Sequence, residues 1–162
     1  MIEWLQHFPH ELAILILAML PLTELRASIP VAIILYHLSP WVAYGLSIAG
    51  NLIPLVCLFL FLPWAIGFLS RHSPSLHKIL ENYFFRLSKK HERALNTYGA
   101  LFLFVFVAIP HPGGGVWSAS LLATLFRMKR SRAIFAIVCG VLVSGLIVLS
   151  LTLESIHVLR AL

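Results

Sequence analysis

YGALFLFVFVAIPHPGGGVWSASLLATLF, residues 98–126, runs for 29 residues without a charge, and at its centre stands Pro110-His111-Pro112-Gly113-Gly114-Gly115. A bilayer core about 30 Å thick asks for roughly 20 helical residues, so the block has the length and composition of a membrane segment. Its centre argues against a simple span, because prolines and consecutive glycines end almost any helix. Two half-helices joined by irregular backbone remain. From Tyr98 to Pro110 a helix extends only about 20 Å, short of the bilayer core. The block therefore reads as a re-entrant hairpin that enters the membrane and returns.

The flanking charges lead to the same reading. Ten of the twelve Lys and Arg residues lie in two segments, Arg71, Lys78, Arg86, Lys89, Lys90 and Arg93 before the block, and Arg127, Lys129, Arg130 and Arg132 after it. Cytoplasmic loops of membrane proteins carry such excess, so a returning block puts both segments on the cytoplasmic side. The expected arrangement is a multi-pass protein of the plasma (inner) membrane. Residues 71–97 and 127–132 are then cytoplasmic, with both termini and the turn from Tyr36 to Pro40 outside.

A second broken block, Glu11 to Leu38, contains Pro21 and Pro30 around Leu22-Thr23-Glu24-Leu25-Arg26-Ala27-Ser28-Ile29. Trp41 to Leu69 and Ala133 to Leu153 read as single transmembrane helices, the first tilted, or kinked at Pro54. Pro21 precedes Gly50 much as Pro110 precedes Gly140, and Gly45/Gly50 is echoed by Gly140/Gly145. One span separates the two units, which makes the second an inverted copy of the first, the plan of many secondary transporters. The fold class expected is an all-α integral membrane protein, a single domain over 1–162. Repeat 1 covers 9–70 and repeat 2 covers 98–155, each a hairpin plus a transmembrane helix. Between them, 71–97 reads as an amphipathic cytoplasmic helix: Ser73-Pro74 suits its start, and Leu76, Ile79, Leu80, Tyr83, Phe84 and Leu87 recur at helical spacing.

Composition narrows the function. A hydrophobic fraction of 60% and a mean hydropathy of +0.94 exceed what a soluble core hides, and the net charge of +6 is explained by topology rather than by nucleic-acid binding. Cys57 and Cys139 lie in apolar runs and behave as small hydrophobes. The amino terminus has no basic stretch before its apolar run, so no cleaved signal peptide is expected. No catalytic triad, metal-ligand cluster or nucleotide loop is present in the sequence. Neither an enzyme nor a cofactor or metal is expected.

Glu24 and Arg26 are the charged residues deep inside a hydrophobic block, and intramembrane ionisable groups default to a functional role with a named partner, here each other. Two positions apart they diverge on a regular helix, so pairing requires unwound backbone. Functionally, Arg26 binds an anion and Glu24 carries a proton; structurally, the two form a static pair at the hairpin tip. In the other block, Gly113, Gly114 and Gly115 lead into Val116, Trp117 and Ser118, the start of a half-helix whose free amides suit a phosphate or carboxylate, although the glycines equally permit the turn. His111 suits proton relay or a plain polar tip. The hairpin breaks are Pro21, Pro30, Pro110 and Pro112. Ala43, Ser47, Gly50 and Ala133, Ala136, Gly140 form small-residue faces for close packing or homodimerisation.

Leu20 to Pro30, together with Ala108-Ile109-Pro110-His111-Pro112-Gly113-Gly114-Gly115-Val116-Trp117-Ser118, resembles the small multidrug export protein family over nearly the whole chain. That family is similar to the DedA superfamily, whose paired re-entrant hairpins serve proton-driven flippases of undecaprenyl phosphate and related lipids. The resemblance implies a transporter or flippase, with membrane lipids, protons and an anionic lipid or small amphiphile as partners. Of the acidic and basic hairpin residues of DedA proteins, Glu24 and Arg26 have counterparts here; the arginine of the second hairpin has none. The alternatives are a multidrug exporter of hydrophobic cations and a non-transporting membrane scaffold.

Overall fold

The computed structural model describes residues 9–72, 98–111, 113–126 and 128–161. In chain order, helices α1 (His10–Met19) and α2 (Glu24–Pro30) are followed by a π-helical turn (Val31–Leu35), then the long α3 (Pro40–His72). After the linker come α4 (Ala100–Ala108), α5 (Val116–Leu125) and the long α6 (Arg130–Ala161). Among the described residues every regular element is helical. The amphipathic helix expected over 71–97 lies outside the described residues, except that α3 runs on through His72. Pro112 and Arg127 also lie outside them.

Two of these helices have apolar stretches long enough to cross a bilayer, Pro40–Leu62 and Arg130–Val158, of 23 and 29 residues. Only 39% and 44% of their most apolar windows are buried inside the protein. The core helix of a soluble protein would be mostly buried, whereas here Trp41, Val56, Leu60, Phe61, Phe135 and Leu151 are exposed. Such an apolar exterior suits lipid as the surrounding solvent. Hydroxyls along α6 bond within the helix, Thr152 donating to the Val148 carbonyl at 2.7 Å and Ser150 to Leu146 at 2.9 Å, so neither is left unpaired in an apolar setting.

The prolines differ in their effect. Pro54 lies within α3, one continuous helix as expected there, whereas Pro30, expected to break its block, does not end its segment. Proline has no N–H and its ring excludes the carbonyl four residues back. After Pro30 the chain widens into the π turn, where the Tyr36 N–H bonds the Val31 carbonyl at 3.2 Å. Pro21 and Pro110 do mark breaks, between α1 and α2 and between α4 and α5. α6 is also longer than the expected span, taking Arg130 and Arg132 into its first turn.

Packing follows the small residues. Each broken unit lays its first helix on the long helix that follows it, α1 on α3 and α4 on α6. A β-carbon at Gly50 would meet the Leu15 carbonyl oxygen at 2.6 Å and Ala18 Cβ at 2.8 Å; one at Gly140 would meet Val107 Cβ at 2.8 Å and the Phe104 carbonyl oxygen at 2.9 Å. The two glycines thus perform one task in the two halves, admitting the backbone of the first short helix. The second short helices cross over, α2 packing on both long helices and α5 likewise. Ile29, Leu55, Leu103, Val116, Leu122 and Ile137 fill the core they share.

Candidate functional site where the two breaks meet

Residues 20–23 leave the last carbonyls of α1 without helical partners, and in an apolar surrounding such groups need replacements. The Thr23 hydroxyl turns back onto the Leu17 carbonyl. The Trp117 indole Nε1, from the first turn of α5, donates to the Met19 carbonyl at 3.2 Å. One break is therefore completed by a residue that follows the other.

Glu24 closes the same junction from the opposite direction. Its backbone takes φ +45°, a left-handed conformation costing a non-glycine residue roughly 1–2 kcal/mol. Its side chain is buried, 7% exposed, and the backbone N–H groups of Val116 and Trp117 hydrogen-bond to its carboxylate. The carboxylate occupies the space that a β-carbon on Gly115 would need. A carboxylate at a helix start gains from the unpaired amides and from the helix dipole. The start of α5 is expected to offer free amides to an anion; a carboxyl group of the chain itself already occupies them.

Arg26, on α2, is half-buried and close enough to act on Glu24 electrostatically, but the amides of α5 supply the hydrogen bonds. The expected partnership of these two residues, both on α2, is thus shared with a second element, α5. Around the carboxylate lies a narrow cleft, part of it open. Polar groups line it from Glu24, Arg26, Asn51, Ser144 and the backbone at Gly114 and Gly115, against walls of Val107 and Val141. The space left beside the carboxylate is small, enough for about one water molecule.

The remaining expected site residues divide. Gly114 lines the cleft and is buried because the His111 ring covers it, while Gly113 is exposed and holds the positive φ of the turn, +86°. His111 folds onto its own loop: Nδ1 donates to the Ile109 carbonyl at 2.9 Å, and the ring stands edge-on to Phe106 at 5.1 Å. It is not among the residues that line the Glu24 cleft, and neither is Ser118. Trp117 ties the breaks together. Asn51 and Ser144 are the polar residues that the sequence reading missed; each is a lone amide or hydroxyl in an apolar run, a signal as informative there as a charge.

A model of the family described as "Putative small multi-drug export protein" matches residues 24–147. The chain belongs to this family. The match starts at Glu24 and covers α2 through most of α6, so both sides of the junction lie within it. No curated protein and no solved structure matches the chain. With its apolar exterior and its long apolar helices, this small multi-drug export family member is a helical membrane protein.

Proposed function

We propose that the protein is a proton-coupled transporter or flippase of the plasma membrane, not an enzyme, that moves an anionic amphiphile such as a lipid phosphate. The observation that carries this reading is the buried Glu24 carboxylate of one broken unit, held by the amides that start α5 in the other. A helix start that already binds a carboxylate has the chemistry for a phosphate, and Arg26 beside it adds a cation. In this reading both broken units are re-entrant hairpins of an inverted repeat. The matching roles of Gly50 and Gly140, and the way α2 and α5 reach the long helix of the other unit, support it. Lipid covers the exposed apolar faces of α3 and α6, or a second copy does.

The second reading, export of hydrophobic cations in exchange for a proton, is favoured by one observation. Among the described residues, Glu24 is the charged side chain in the buried set, and it is an acid. Flux in proteoliposomes separates the two. A labelled polyprenyl phosphate is expected to move only with a pH gradient, and a lipophilic cationic dye not at all; gradient-driven flux of the dye alone would select the second reading. The topology has its own check. Cysteines placed at Ser88 and Ser131 should both be labelled from the cytoplasmic side alone, and labelling from opposite faces would sink the returning hairpin.

A further inference from the structure

Asn51 lies one helical turn beyond Ser47 on α3. Ser47 is satisfied by a 2.8 Å hydrogen bond from Ser28. Asn51 is not: its side chain is 2% exposed, it lines the Glu24 cleft, and its Oδ1 has no hydrogen-bond partner. A buried acceptor without a donor is costly and calls for an explanation. An ionised carboxylate cannot supply one, since it only accepts; a protonated carboxyl has one O–H to donate. Across the same cleft the amides of Val116 and Trp117 suit the ionised form. One wall therefore fits Glu24 charged, and Asn51 Oδ1 offers an acceptor to its O–H when it is neutral.

We infer that Glu24 has two seats in this cleft: ionised, it fills the amides at the start of α5, and protonated, it donates to Asn51 Oδ1 and leaves those amides to one anionic headgroup of the substrate. The inference rests on the transport reading and specifies how proton and anion exchange at a single site. Protonation removes the internal anion, the substrate's phosphate or carboxylate replaces it, and Arg26 faces whichever is present. Among the described residues, Arg26 on its own helix and the His111 ring over Gly114 are the charged or titratable groups near Glu24. α3 and α6 contribute Asn51 and Ser144, neither of which titrates. Anion and proton are then bound together, each tightening the other.

The test uses the full chain in nanodiscs of neutral phosphatidylcholine, titrated with dioctanoyl phosphatidylglycerol and separately with inorganic sulfate. Neither probe changes charge near neutral pH. Calorimetry in two buffers of different ionisation heat reads the protons taken up. About one proton per bound anion is expected, with affinity weakening about tenfold per pH unit as the medium becomes more alkaline. Glu24→Gln should bind without proton uptake. Asn51→Leu should bind about tenfold more weakly in acid, and Asn51→Ser, which keeps an acceptor, should recover most of that loss. Binding of phosphatidylglycerol alone places the anion in the bilayer, whereas binding of both probes makes the headgroup chemistry sufficient; proton uptake in either case supports the two seats. Anion binding without proton uptake overturns them, as does Asn51→Leu behaving like the parent. Failure of the parent protein to bind either anion at any pH would overturn the anion-transport reading as well.

Discussion

Gly115→Ala, a change of one methyl group, is expected to remove nearly all transport, whereas Gly45→Ala leaves it intact. A β-carbon at Gly115 falls on the Glu24 carboxylate, while one at Gly45 has nothing within 4 Å. By helix propensity the exchange at Gly45, inside α3, is favourable by up to about 1 kcal/mol. At Gly115 the methyl group expels the cap of α5. Losing a helix cap costs roughly 1–2 kcal/mol, and that energy alone shifts an equilibrium about 5–30-fold. The functional loss should be larger, because the displaced group is the proposed proton carrier. Flux in proteoliposomes at matched protein content decides the matter, and parental rates in Gly115→Ala would mean that the contact is incidental.

Glu24 and Arg26 should fail unequally. Arg26→Gln leaves a carboxylate that is 7% exposed with backbone amides but no neighbouring cation, whereas Glu24→Gln leaves a half-buried guanidinium that reaches polar surroundings more easily. Breaking a fully buried ion pair costs on the order of 3–5 kcal/mol. Arg26→Gln is expected near the lower end of that range and Glu24→Gln well below it, since glutamine keeps a carbonyl for the α5 amides. The double variant Glu24→Gln with Arg26→Gln should recover the yield and thermal midpoint lost in Arg26→Gln without recovering gradient-driven transport. A double variant of full activity would exclude Glu24 as proton carrier and Arg26 as anion ligand together.

Breaks were legible in the sequence because proline and glycine act locally: Pro21 and Pro110 interrupt their blocks where expected. Glu24 was legible too, since a carboxylate in an apolar run needs a reason wherever it lies. Its hydrogen-bond partners on α5 were not. Residue 24 meets the chain at Gly115, Val116 and Trp117 through the packing of four helices, and no local periodicity encodes which helix start a distant side chain will cap. The same limit explains Pro30, after which the chain widens into a π turn rather than breaking. Within the glycine run, composition marked a turn but could not distribute the tasks. Gly113 takes the positive φ, Gly114 yields to the His111 ring, and Gly115 yields to Glu24.

In the proposed mechanism protons enter transport through Glu24 at the start of α5. The direct measurement records a pH-sensitive dye inside proteoliposomes while labelled polyprenyl phosphate moves across the same membrane, for the parent protein and for Glu24→Gln. Proton movement that begins with lipid flux is expected in the parent, and neither gradient-driven flux nor proton movement in a well-folded Glu24→Gln. Lipid-linked proton movement at the parental rate in Glu24→Gln would contradict that mechanism.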